Sequence, residues 1–182
     1  MLDVNGADVE PNDYADGQLV TEALRQLSVL SDRYWSSTAN PGVGASLSPF
    51  ANPLARPYFM AVGLHRPHMD WVVPPSMLAR QPPAGQIELA QHPLVPNDTL
   101  ASRWAFYNCT ELTQRARLKA AGAHIEPDQA LPTAVAQTIR RQYYAAVEYM
   151  DSQVGRLLDG LDALHLTNST LVVFHGVALC SI

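Results

Sequence analysis

Tyr58-Phe59-Met60-Ala61-Val62-Gly63-Leu64, closed by His65-Arg66-Pro67-His68, is the stretch on which the architecture turns. An unbroken apolar run bounded by Pro57 and by a polar tetrapeptide reads as a strand buried on both faces, the kind a parallel sheet contains. Thr170-Leu171-Val172-Val173-Phe174 has the same character and stops at His175-Gly176. Between the two lies a strong helical signal. Val135, Ile139, Tyr143, Val147, Met150, Val154, Leu157 and Leu161 recur in steps of four and three, with Arg140, Arg141, Glu148, Asp151, Arg156 and Asp159 largely off that stripe. Two doubly buried strands separated by a helix predict an α/β fold with a mainly parallel sheet flanked by helices. Ligands of such sheets sit beyond the carboxyl ends of the strands, where both histidine-bearing segments fall.

Upstream, Leu19, Val20, Ala23, Leu24, Leu27 and Leu30 form one apolar face of a helix spanning Asp16 to Leu30. Residues Ser36 to Pro53 are rich in Ser, Pro, Gly and Asn and read as a loop. Nine of the 14 prolines lie between Pro53 and Pro96, so most of the excursion after His68 is expected to be neither regular helix nor central strand.

Composition narrows the function classes. With 47% hydrophobic and 16% charged residues the chain has a globular balance and a length suited to one domain. A formal net charge of −5, with 12 basic residues and no basic run, argues against nucleic acid as a partner. No stretch approaches the roughly 20 apolar residues of a membrane span, and the first residues lack the form of a signal peptide. Cys109 and Cys180 have no partner at the spacing of a metal knuckle and no base nearby in sequence. Asn97-Asp98-Thr99, Asn108-Cys109-Thr110 and Asn168-Ser169-Thr170 fit the N-glycosylation pattern and favour a secretory route.

His65-Arg66-Pro67-His68 combines two imidazoles and a guanidinium just past a strand end. Arg offers a planar fork of donors for sulfate, phosphate or carboxylate oxygens, and His can give a proton to a departing oxygen. The plainer reading, histidines that cap a strand and bond locally, is equally open from the residues alone. A zinc site from His65, His68 and His175 is a weaker alternative, unsupported by any Cys cluster or helical His-Glu-x-x-His. Glu148 and Asp151, three apart on the long helix, read as solvated charges before they read as a catalytic pair.

Three segments together resemble the sulfatase family, most closely its iduronate-2-sulfatase branch. They are Pro57 to His68, similar to the family's strand and His-Lys/Arg-Pro-His element; Tyr143-Tyr144-Ala145-Ala146-Val147-Glu148-Tyr149-Met150-Asp151-Ser152-Gln153-Val154-Gly155-Arg156-Leu157-Leu158, similar to its following helix; and Asn168 to Phe174, similar to its metal-binding strand. The likeness is strongest over residues 16–176 and identifies residues 1–182 as an incomplete catalytic domain of the alkaline-phosphatase-like fold.

The resemblance implies a sulfuric ester hydrolase acting on a sulfated sugar or glycosaminoglycan, with a lysosomal or secreted location. It makes His68 the catalytic histidine that binds the sulfate ester and assists the leaving oxygen. It adds His65 and Arg66 as substrate-binding neighbours, and calcium as the family's cofactor. Of the family's metal-binding Ser/Thr-Asp-His-Gly, only His175 can be matched, because Phe174 runs directly into His175-Gly176. The family's nucleophile motif, Cys-x-Pro-Ser-Arg, does not occur in these residues. Little or no turnover is therefore expected from this chain alone. Two other readings remain: a non-catalytic remnant that binds an anionic glycan or partner, and a fragment of a related phosphate or phosphonate monoester hydrolase.

Overall fold

A computed structural model describes residues 11–38, 57–68, 71–94 and 130–176. Three α-helices organise them: α1 (Ala15–Thr38), the short α2 (Pro75–Arg80) and α3 (Thr133–Ala163), with single 3-10 turns at Pro11–Asp13, Ala84–Gln86 and Thr167–Ser169. The described residues divide into two compact units, one within Asp8–Arg66 and Glu148–His175, the other within Pro67–Val147. Helix α3 supplies its second half to the former and its first half to the latter.

In the first unit, the apolar face expected of α1 is present. Val20 is fully buried, with Ala23 and Leu27 nearly so, while Leu19 is half-exposed at the edge of the stripe. Leu27, Leu161 and Leu166 form the core, and Leu24, Tyr58, Met60 and Leu164 pack against it. Helix α3 closes through the Leu166 amide, which donates to the Leu161 carbonyl (2.9 Å), with His165 in the left-handed region at φ 55°. That position usually takes Gly, because a Cβ crowds the carbonyl there.

Helix α3 buries Leu161 as expected, but over residues 142–154 its buried positions are mostly shifted by one. Gln142, Ala145, Ala146, Tyr149 and Gln153 are buried there, whereas Tyr143, Val147, Met150 and Val154 are only partly covered. Two alanines permit close approach, and the polar atoms of Tyr149 and Gln153 are hydrogen-bonded inside. Burial therefore does not require apolarity here.

The expectation of doubly buried strands is corrected. Residues 57–65 are extended and alternate strictly between exposed and half-buried; Phe59 is 92% exposed while Tyr58 and Met60 face the leucine core. Leu171, Val173 and Phe174 are 89%, 77% and 72% exposed. Burial on both faces needs a layer on each side; the described residues supply one beside Tyr58 and Met60 and none over residues 171–174. Sheet pairing is absent among the described residues, although a Tyr58 hydroxyl to Thr170 hydroxyl bond (2.5 Å) joins the two extended segments.

In the second unit, the proline-rich excursion is ordered against the first half of α3. It contains one short helix where none was expected. Helix α2 begins at Pro75, and proline is tolerated in a first turn, where its missing N–H has no intrahelical partner to lose. The Arg141 guanidinium donates to the carbonyls of Leu78 and Pro82 (2.8 Å each), and Gln137 donates to the Ile87 carbonyl. Val73, Met77 and Ile87 are buried beside these anchors.

Candidate functional site

The turn at Arg66-Pro67-His68 follows directly from the extended segment ending at His65. Its entry is held from α1. The buried Asp16 carboxylate accepts the backbone N–H of His65 at 2.8 Å and that of Arg66 at 3.2 Å. The Arg66 guanidinium lies 3.9 Å from the same carboxylate, with that side chain 9% exposed and Asp16 3% exposed. Arg66 is thus an internal counter-ion, placed differently from the solvent-facing fork that its chemistry suggests. Further along, the Trp71 indole N–H donates to the Pro67 carbonyl (2.7 Å), and the Trp71 ring meets Tyr143 edge-on at 5.9 Å. Both histidines, His65 and His68, are exposed.

Around Asp16 lies a polar network that joins α1 to α3. The Tyr149 hydroxyl accepts the buried Gly17 N–H (3.1 Å), one of the first-turn donors that no helical carbonyl can satisfy. Arg156 donates to the Gly17 carbonyl (3.3 Å), the Gln153 side-chain oxygen (2.7 Å) and the Thr21 hydroxyl (3.0 Å). Tyr14 packs edge-on against Tyr149 at 5.9 Å. Burial raises the pKa of Tyr149, opposed by its Gly17 bond, and burial raises that of Tyr14. Both phenols therefore stay neutral past the ordinary range.

His175 is exposed at the end of the second extended segment. Calcium requires several oxygen ligands, whereas His175 offers nitrogen. Among the described residues no three or more His, Cys, Asp or Glu side chains converge as a metal site, so they fit neither calcium nor the zinc alternative. Asp151 is exposed and Glu148 half-buried on α3. Cys109, Cys180, Asn97 and Asn108 lie outside the described residues, while Asn168 is exposed. Among the described residues no helix is long and apolar enough to cross a membrane.

Reading the sequence did not single out Asp16, Tyr149 or Arg156. The first looks like an ordinary acid in a helix first turn, and the other two fall off the predicted stripe. An acid 49 residues before a histidine carries no local signal of contact.

Comparison with known proteins gives the family. Iduronate 2-sulfatase of Homo sapiens is 38% identical over 128 residues, covering 69% of this chain and 22% of that protein. Iduronate 2-sulfatase of Mus musculus is 31% identical over 182 residues, covering 98% of this chain and 28% of that protein. The chain thus spans less than a third of the length of these relatives. No solved structure matched it. The sulfatase family pattern matches residues 44–176, a span that includes the His65-to-His68 turn, most of the second unit and all of α3. This chain belongs to the sulfatase family.

Proposed function

We propose that this chain is part of a sulfuric ester hydrolase of the iduronate 2-sulfatase type, acting on the sulfate ester of a uronic acid in a sugar or glycosaminoglycan. The observation that carries the reading is the exposed imidazole of His68, on a turn inside the family match. In this assignment His68 contacts the ester and gives a proton to the departing sugar oxygen, as a positioned imidazole N–H can. His65 adds a second exposed donor. Arg66 shapes the turn from within, its charge balanced by Asp16.

Cleavage of the ester also needs an attacking nucleophile and several donors preorganised around the sulfate oxygens. The 182 residues contain no Cys-x-Pro-Ser-Arg. Calcium, the family's cofactor, would add positive charge at those oxygens, but the described residues do not assemble its ligands, and no step here is assigned to it. The chain by itself accordingly binds sulfate esters without turning them over. A lysosomal or secretory location is supported by the exposed Asn168 of the Asn168-Ser169-Thr170 acceptor.

Calorimetric titration of the chain with iduronate 2-sulfate, the unsulfated sugar and the corresponding phosphate ester tests the assignment. Inorganic sulfate is assayed in the same solutions. Saturable binding of the sulfated sugar alone, lost in His68→Ala and without sulfate release, is expected. Equal binding of the unsulfated sugar refutes the sulfate site, preference for the phosphate ester supports the phosphatase alternative, and sulfate release refutes the absence of turnover.

A further inference from the structure

We infer that Asp16 is the positioning residue for the His65-Arg66 entry to the proposed sulfate-ester turn, an inference that rests on the reading of that turn given above. Asp16 stands in the first turn of α1, 49 residues before His65 in sequence, yet its two carboxylate oxygens each serve the turn: Oδ1 accepts from the His65 amide and Oδ2 from the Arg66 amide. A carboxylate that takes two successive backbone N–H groups fixes the peptide plane between them, as a capping side chain fixes a helix start. The contact also satisfies two donors just before Pro67, whose ring lacks an N–H and holds φ near its own fixed value.

Three observations separate this arrangement from an acid that merely favours a helix N-terminus. Asp16 is 3% exposed, so its charge is withdrawn from water and depends on these donors. Arg66 supplies the balancing charge from the turn itself, at 3.9 Å. The neighbouring residue Gly17 has a separate hydroxyl acceptor on Tyr149, so capping of the helix does not depend on Asp16 alone. Asp16 thereby ties the orientation of the His65 backbone to α1, and the exposed imidazole projects from a backbone that cannot rotate freely.

The test uses the 182-residue chain, nuclear magnetic resonance of its backbone amides, and inorganic sulfate as the probe. In the native chain the His65 and Arg66 amides should both be protected from exchange, as held donors are. In Asp16→Asn, which keeps one acceptor oxygen, amide exchange at these two positions should accelerate by about tenfold or more, the loss of one charge-assisted bond. Sulfate affinity should fall several-fold, while the protected amides of Leu27 and Leu161 report an intact core.

Unprotected His65 and Arg66 amides in the native chain would overturn the inference without reference to any variant. Altered amides with unchanged sulfate affinity would overturn the positioning role. If the native chain binds no sulfate while both amides lose protection in Asp16→Asn, the family reading of the turn fails and the hold of Asp16 on its backbone stands.

Discussion

Gly160 on α3 lies against Leu24 on α1, and adding one methyl group there measures how tightly the two helices are packed. A Cβ built on Gly160 would fall 2.1 Å from Leu24 Cδ2 and 3.5 Å from its Cγ. Carbon atoms rest about 3.5–4.0 Å apart, so Cδ2 must withdraw by roughly 1.5 Å. The atom is the free end of a side chain and can rotate, but it packs on the Leu27, Leu161 and Leu166 cluster. Overpacking of this kind costs about 1–3 kcal/mol. Replacing Gly by Ala within a helix returns about 1 kcal/mol. Gly160→Ala should therefore destabilise the native chain by about 0–2 kcal/mol. In a Leu24→Ala background the obstacle is gone, and the same substitution should stabilise by about 1 kcal/mol. Urea denaturation of the four proteins gives a coupling of about 1–3 kcal/mol on these terms. A stabilisation of equal size in both backgrounds would refute the close approach of α1 and α3 at this point.

The two edge-on tyrosines, Tyr14 and Tyr149, should respond oppositely to loss of their hydroxyls. Tyr149→Phe strands the buried Gly17 N–H and should cost about 1–3 kcal/mol in urea, whereas Tyr14→Phe, whose buried hydroxyl has no partner among the described residues, should be neutral or stabilising. Because burial raises both phenol pKa values in the folded chain, their contribution to stability is complete below the ordinary value of 10.0 and is lost as pH rises through the folded values. Ultraviolet titration should accordingly show these two ionising above the ordinary phenol value, together with loss of helical circular dichroism; their ionisation at the ordinary value with the helices intact would contradict this. His165→Gly should stabilise by about 1 kcal/mol by relieving the left-handed backbone at the end of α3, and a loss of stability on urea denaturation would contradict the φ of 55°.

The helices and the turn were legible in the sequence for different reasons. Spacing alone locates α1 and α3, since a 3.6-residue period with charged residues opposite has few other solutions. The buried line of α3 was misjudged by one position because Ala145 and Ala146 are weakly apolar and Tyr149 and Gln153 carry polar atoms. The Tyr149 hydroxyl is met by the Gly17 amide of α1, which no local pattern reveals, and the Gln153 oxygen by Arg156 one turn along α3. The run from Tyr58 to Leu64 is expected to be a strand buried on both faces and is assigned no strand, because an apolar run states only what can be buried. Tyr58 and Met60 pack on the leucine core while Phe59 is open, and residues 171–174 are exposed throughout.

The proposed site divides in the same way. His65-Arg66-Pro67-His68 stands out by composition, and the exposure of both imidazoles agrees with a role outside the core. Arg66 was expected to bind substrate; its guanidinium lies 3.9 Å from Asp16, an acid from a distant helix that the sequence did not single out. Sulfatase membership implies the alkaline-phosphatase-like fold, while the described residues show helices and no sheet pairing. Long-range pairing is the information that composition and period do not carry.

The central claim is that His68 belongs to a sulfate-ester site. Its imidazole C2 proton, followed by nuclear magnetic resonance while iduronate 2-sulfate is added, tests this most directly. A saturating shift at His68 that the unsulfated sugar does not produce is the predicted result; an unmoved His68 signal at concentrations where the sulfated sugar is bound elsewhere on the chain would contradict the assignment.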